Sequence, residues 1–466
     1  MGKGIDPKNL MLDISFEDDA LQKHFQSVIV KNDAITRKIV SNQANKASAQ
    51  FRWYKYKESF SSDLVLYLLD RFGIDTGPIL DPFSGVGTTL FSAASQGIDA
   101  DGIELLPIGQ EIVKARMLIR DISDEDEELV GEIKGFIEAK SWNEIGETMD
   151  FGVIPITEGA YPPETNQKIK RFLNELYQLS QKARKVLFFC LLCILEDVSY
   201  TRKDGQFLRW DHRSGRHVGK NPFNKGIIED FDSAFARKWQ EILDDIRCFQ
   251  SGKERESGEV GLYNGSCLNI LPSIPKDAYS SVITSPPYCN RYDYTRTYAL
   301  ENAMLGVGKS EILSLRQEML SCTVESKKKD LLHLNKGWRQ AIEICDDSGL
   351  LQSILHYMDY MKSNRLLNNN GVATMVRGYF YEMACVIYEC YRVLKPQSYV
   401  LMVNDNVKYA GVSISVDLIL SQIAEKIGFS VEEIMVLPKG KGNSSQQMGV
   451  YGRSELRKCV YVWKKI

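Results

Sequence analysis

The four residues Ser285-Pro286-Pro287-Tyr288 carry the most suggestive chemistry in the chain. They close a short apolar run, Ser281-Val282-Ile283-Thr284, that reads as a buried strand. A strand ending this way sets a hydroxyl, proline-stiffened carbonyls and an aromatic face at one sheet edge. That set suits gripping a flat ring that bears an amine. A second segment, Ile79-Leu80-Asp81-Pro82-Phe83-Ser84-Gly85-Val86-Gly87-Thr88-Thr89, reads as a strand, a glycine-rich turn and a helix start. Gly85 and Gly87 let backbone approach a ligand without a Cβ clash. The amides that open the next helix can meet a carboxylate or another electron-rich group. No Gly-Lys-Ser/Thr follows, so the turn is not a nucleotide-binding P-loop.

Together these segments resemble the S-adenosylmethionine-dependent DNA amino-methyltransferases, which modify cytosine N4 or adenine N6. The resemblance implies a cofactor loop made of Asp81, Pro82, Phe83, Ser84, Gly85, Gly87, Thr88 and Thr89. It implies an acidic residue at the end of the next strand, where Glu104 precedes Leu105 and can accept both ribose hydroxyls. Asn264-Gly265-Ser266-Cys267 stands where the family often has Gly-Asp, so Ser266 and Cys267 take the adenine position without its carboxylate. Lys55 to Phe60 resembles the segment that closes over the methionine end, with Lys57 and Phe60 as its contacts. The cofactor is then S-adenosyl-L-methionine, leaving as S-adenosyl-L-homocysteine, with no metal.

An exocyclic amine is a weak nucleophile because its lone pair is conjugated with the ring. Hydrogen bonds from the amine to Ser285 Oγ and the Pro286 carbonyl favour a pyramidal nitrogen, while Tyr288 stacks on the base and Pro287 stiffens the turn. Such positioning is worth on the order of 7 kcal/mol in well-oriented systems. A cytosine-C5 enzyme needs a Pro-Cys nucleophile, whereas Cys289 follows Tyr288. The target base must leave the duplex, at a cost of a few kcal/mol. Serine at the first motif position is commoner in the cytosine-N4 enzymes, which makes adenine N6 the alternative. An RNA base methyltransferase and a non-catalytic DNA-binding subunit are the more distant readings.

Strands and helices alternate around these motifs, which predicts an α/β fold. The expectation is a Rossmann-like, doubly wound, mostly parallel seven-stranded sheet ending in an antiparallel hairpin, with a mainly helical inserted target-recognition region. The divisions are a polar, helical segment over 1–50, the cofactor-binding part over 51–120, the insert over 121–257 and the catalytic part over 258–466. At 466 residues the chain exceeds one ordinary domain. Its 44% hydrophobic content is that of a soluble globular protein. No apolar run is long enough to span a membrane, and Met1 to Asp6 lacks a signal-peptide core. Ten scattered cysteines fit a reducing cytoplasm. Cys190 and Cys193, in an apolar helical stretch without a second ligand pair, read as core residues rather than a zinc site.

The net charge of −3 does not advertise nucleic acid, so the basic residues must be concentrated locally. Residues 199–225 carry seven Lys or Arg against Asp204 and Asp211. With Gly205, Gly215 and Gly219 the segment reads as a flexible basic loop. Arg202, Lys203, Arg209, Trp210, Arg213, Arg216 and Lys220 are its candidate contacts to double-stranded DNA. Arg291 and Arg296, just past the Ser-Pro-Pro-Tyr unit, are candidates for flanking phosphates. A second basic stretch runs from Lys439 to Gln447, with Arg453 and Arg457 beyond it. The motif order is like that of the family class with its target-recognition region between the two motifs, and the resemblance implies a bacterial modification enzyme, with a cognate restriction endonuclease as its candidate partner.

Overall fold

Short runs with buried apolar residues form most strands of the structure, a computed structural model describing residues 6–36, 38–122, 126–205, 207–216, 221–250, 258–438 and 456–466. In chain order the strands are β1 (Ile29–Lys31), β2 (Ile79–Asp81), β3 (Ala100–Glu104), β4 (Thr201–Asp204), β5 (Phe207–Trp210) and β6 (Val260–Asn264). They continue as β7 (Tyr279–Thr284), β8 (Leu394–Asp405), β9 (Val407–Tyr409), β10 (Val412–Ile414), β11 (Phe429–Val436) and β12 (Lys458–Lys465). Among the described residues the main sheet has eight strands, in the order β1-β11-β12-β8-β7-β2-β3-β6. From β6 to β8 the neighbours run parallel, and β12 lies antiparallel to both β8 and β11. The doubly wound α/β sheet with its antiparallel end is therefore present.

The eighth strand is an addition to the expected seven. It comes from the segment read as polar and helical, where helix Pro7–His24 leads into β1, and β1 pairs parallel to β11. Three residues of strand carry too little pattern to register, and only the sheet edge makes them a strand.

Helices cover both faces, and no described helix is long and apolar enough to cross a membrane. On one face Gly371–Val393 and Val416–Ile427 bury a continuous apolar core against β8, β11 and β12. On the other, Ser62–Phe72 and Thr88–Ala94 pack over β2 and β3. The helices of the 121–257 region share a third core with Pro107–Arg120 and with Trp53, Tyr54 and Tyr56. In helix Gln181–Ile194 the Cys190 thiol is buried and burial pushes that of Cys193 up to about 12, as suits core residues.

The basic segment after Ser199 differs from the flexible loop expected of it. It folds as an antiparallel hairpin of β4 and β5, followed by a 3-10 turn whose start Asp211 caps. The stretch Lys439 to Gln447, with Arg453, lies outside the described residues. Arg457 turns inward, 2.9 Å from buried Asp417.

Candidate active site

Strand order reverses between β2 and β7, since the chain runs outward through β3 and β6 and then returns to β7. Ligands of doubly wound sheets sit beyond the strand ends at such a switch point. Here the two ends are joined directly: Thr284 Oγ1, closing β7, donates to Asp81 Oδ1, closing β2, at 2.6 Å. The same Asp81 oxygen accepts the Phe83 amide at 3.0 Å. Burial is the main cause that lifts the Asp81 carboxyl to about 6, against these hydrogen bonds.

A cleft with about 780 Å³ of empty space opens above this junction. Its floor is the turn Asp81–Val86 with Thr88, and Gly85 holds a left-handed φ of 54° there. One wall is the end of β3 together with the turn after it, Ile103 to Leu106. Glu104 is buried and accepts the Leu106 amide at 2.6 Å. Burial lifts its carboxyl to about 8. Gly109 makes this packing possible, because a Cβ there would come within 2.7 Å of the Gly85 oxygen and 2.8 Å of Glu104 Cδ. Gly265, Ser266 and Cys267 supply the next wall. Ser266 Oγ donates to the Glu318 carbonyl at 3.0 Å, and burial raises the Cys267 thiol to about 12, so neither behaves as the missing carboxylate.

The strap Tyr56–Phe60 borders the cleft through Tyr56, Glu58, Ser59 and Phe60. Ser59 Oγ lies 2.9 Å from Thr88 Oγ1, tying strap to floor. Tyr56 stacks on Tyr298 at 4.8 Å, and Tyr292 and Tyr298 both donate to the Glu58 carboxylate. Burial raises the Glu58 carboxyl, and the two phenols oppose that rise. Lys57 faces elsewhere, with Nζ donating to the Lys203 carbonyl. Thr89 also sits outside the lining, buried, with its hydroxyl 3.2 Å from the Ile283 oxygen. Tyr294, Met319 and Leu320 complete the cleft; Tyr294 belongs to the aromatic run just past the Ser-Pro-Pro-Tyr unit, whereas Met319 and Leu320, at the end of a helix with ordinary patterning, carry no signal in the sequence.

Ser285 and Pro287 line the same cleft, which brings the two sequence motifs to one place. Ser285 Oγ lies 3.2 Å from the Val403 carbonyl oxygen and 3.2 Å from Tyr288 Oη. Pro286 is buried, and Lys458 Nζ sits 5.3 Å from the centre of the half-buried Tyr288 ring. Asp405 is 3.5 Å from Lys458. Burial raises the Tyr288 phenol, so it is neutral near pH 7. Burial opposes the Lys458 charge, but Tyr288 and Asp405 outweigh it and hold the ammonium above its usual range.

No family model matches the chain. Type II methyltransferase M.AvaI of Nostoc sp. is 53% identical over 461 residues, covering 97% of this chain and 94% of that protein. Type II methyltransferase M.BsoBI of Geobacillus stearothermophilus is 39% identical, covering 96% of this chain and 91% of that protein. Type II methyltransferase M.MvaI of Kocuria varians is 24% identical over 75% of the chain. The chain belongs to the type II DNA methyltransferases. As such a methyltransferase it is an enzyme of restriction-modification that uses S-adenosylmethionine. The cleft fits that cofactor on its own chemistry: a buried acceptor in Glu104, a glycine-opened floor and an apolar wall at Phe83, Leu105 and Leu320.

The methyltransferase's candidate DNA contacts divide sharply. Arg202 and Arg209 stand exposed on the hairpin. Lys203 and Trp210 do not reach the surface, because alternate residues of β4 and β5 point into the core. Lys203 is 2% exposed and pairs with buried Glu301, so it is a structural cation rather than a DNA contact. Arg213 is held by Asp211, 2.7 Å away, and that pair keeps the Asp211 carboxyl well below its usual range. Arg216 lies 4.0 Å over the Trp210 ring and donates to the Pro155 and Glu158 carbonyls. Arg291 is half-buried, 6.0 Å from the Tyr409 ring, and Arg296 pairs with Asp293 and Glu325. Lys220 lies outside the described residues.

Proposed function

We propose that this enzyme methylates the exocyclic N4 amine of a cytosine flipped out of duplex DNA. The observation that carries the reading is the placement of Ser285: it lines the cleft that Glu104 and the Asp81–Thr88 turn also line. S-adenosylmethionine, when bound, supplies an electrophilic methyl group, so no covalent enzyme intermediate is required. The Ser285 proton points at the Val403 or Tyr288 oxygen, which leaves the Oγ lone pairs to accept from an amine. An amine hydrogen bonded there, with the second on the Pro286 carbonyl, pulls nitrogen density out of conjugation. Tyr288 lies beside the cleft rather than in its lining, with Lys458 over its ring, and its stacking on the flipped base is assigned by resemblance. Lys57, Phe60, Glu104, Leu105, Ser266 and Cys267 are assigned to the cofactor by resemblance. Phe60, Glu104, Leu105, Ser266 and Cys267 lining the cleft supports that assignment, while Lys57, tied to Lys203, helps only by holding the strap. The choice of cytosine rests on serine at the first motif position. The natural partner of such a modification enzyme is a restriction endonuclease that cuts the unmodified site.

The test is mass spectrometry of nucleosides from mixed-sequence DNA treated with enzyme and S-adenosylmethionine. N4-methylcytosine is expected, and N6-methyladenine would overturn the choice of base. Ser285→Ala and Tyr288→Ala should each lower methyl transfer by about 10²-fold, the cost of an ångström-scale misplacement, with cofactor affinity near normal. Unchanged turnover in both would remove the catalytic assignment.

A further inference from the structure

The β4–β5 hairpin has two faces of opposite character. Its register pairs Thr201 with Trp210, Arg202 with Arg209, Lys203 with Leu208 and Asp204 with Phe207. Side chains alternate along a strand, so one face carries Thr201, Lys203, Leu208 and Trp210, all buried. The other carries Arg202 and Asp204 opposite Arg209 and Phe207, with both arginines and Phe207 exposed, Phe207 at 51%. Two arginines directly opposite each other repel, and cross-strand like charges destabilise a hairpin. The buried face anchors the hairpin despite this repulsion, so the two arginines are not what holds it in place.

The hairpin stands at the rim of the cleft. β5 packs against helix Tyr294–Thr297, whose Tyr294 lines the cleft. The Lys203 carbonyl accepts from Lys57 in the strap. Arg209 is pre-oriented, 3.0 Å from Asp204 and 4.2 Å over the Phe223 ring. Arg202 has no ion-pair partner among the described residues.

Resting on the DNA-methyltransferase reading, we infer that the outer face of this hairpin reads base edges in the major groove beside the flipped base. A two-stranded ribbon fits that groove. Arginine forks match guanine O6 and N7, and an exposed phenyl ring suits the apolar C5 edge of a pyrimidine. Arg202 and Arg209 are the guanine readers, and Phe207 contacts an adjacent pyrimidine.

The experiment maps methylated sites in a randomised duplex library treated with S-adenosylmethionine and wild-type enzyme, Arg202→Lys, Arg209→Lys or Phe207→Ala. Lysine keeps the charge that holds phosphate but loses the fork. The lysine variants should lose about tenfold or more discrimination at a guanine position. Their affinity for a duplex lacking the site should stay within about twofold. Phe207→Ala should relax a pyrimidine position. All three substitutions are at exposed positions, and unchanged cofactor binding by calorimetry confirms the fold. An unchanged set of sites in all three variants would overturn the inference, as would uniform weakening across sequences, the mark of backbone contact. Relaxed sites with N6-methyladenine as product would uphold the hairpin and sink the cytosine reading.

Discussion

Glu104 and Asp81 are carboxylates that the fold has taken out of water, and both hold protons more tightly for that reason, to about 8 and about 6. An unfolded glutamate releases its proton near about 4.3. Between there and about 8 the native chain keeps a proton at Glu104 that the unfolded chain has lost. Stability of the ligand-free enzyme should therefore be fullest below that window and fall as pH rises through it. Asp81 adds the same sign over a lower window ending near 6. Denaturant midpoints at pH 5 and pH 8.5 would read the slope, and Glu104→Gln, which mimics the neutral acid, should flatten it. Cofactor affinity should move the opposite way in the wild type, rising with pH as an ionised Glu104 accepts the ribose hydroxyls, and stay flat in Glu104→Gln. A slope unaltered by the substitution would place the titration elsewhere. At this scale the sequence disclosed what local order dictates: Asp81 and Glu104 end strands and Ser285 directly follows one, so all three reach the same edge of the sheet. It pointed to the segment Lys55 to Phe60 but to Lys57 as its contact; that Tyr56 and Glu58 face the cleft instead depends on Tyr292 and Tyr298, more than two hundred residues away.

Elements were legible where burial leaves a pattern and hidden where it does not. Val400-Leu401-Met402-Val403 in β8 is a continuous apolar run, and β7 carries Val282-Ile283 with buried Ser281 and Thr284 on either side, both without a competing helical period. The β4–β5 hairpin reads as a loop in the sequence because charged residues crowd it and glycines punctuate the stretch from Gly205 to Gly219. Lys203 in particular mimics a surface residue until its partners are known: Glu301, the Tyr54 hydroxyl at 3.2 Å and the rings of Tyr54 and Tyr298 at 4.9 and 4.7 Å. This buried pair joins the hairpin to helix Ala299–Met304, and the Tyr54 hydroxyl, bonded to both, ties in the segment just before the strap. Lys203→Met should destabilise the protein by about 3–5 kcal/mol, because it strands the Glu301 charge in the interior. Lys203→Met combined with Glu301→Gln should recover much of that loss. Urea unfolding followed by circular dichroism measures both, and a single variant within about 0.5 kcal/mol of wild type would show that the pair is not the anchor.

At the scale of the molecule, the amino-terminal segment belongs to the catalytic fold although it lies at the far edge of the sheet from the cleft. Helix Pro7–His24 sends Leu10, Ile14 and Leu21 into the core shared with Gly349–Ser363 and Val416–Ile427, and Phe25 follows them. β1 then satisfies the outer edge of β11: the Ile434 amide donates to Val28 at 2.8 Å and the Asn32 amide to Val436 at 3.2 Å. Four buried apolar side chains are worth roughly 1.5–3 kcal/mol each, as an upper estimate. Their sum is comparable with the 5–15 kcal/mol by which a typical fold is stable. Removing residues 1–31 would also bare a strand edge next to the antiparallel β12, which invites pairing between chains. The truncated enzyme should lose its cooperative unfolding transition and aggregate, with cofactor binding lost as a consequence of unfolding. Scanning calorimetry with light scattering tests this. A truncated chain that melts near the wild-type temperature and still binds S-adenosylmethionine would show that the seven inner strands suffice and that β1 is an accessory edge.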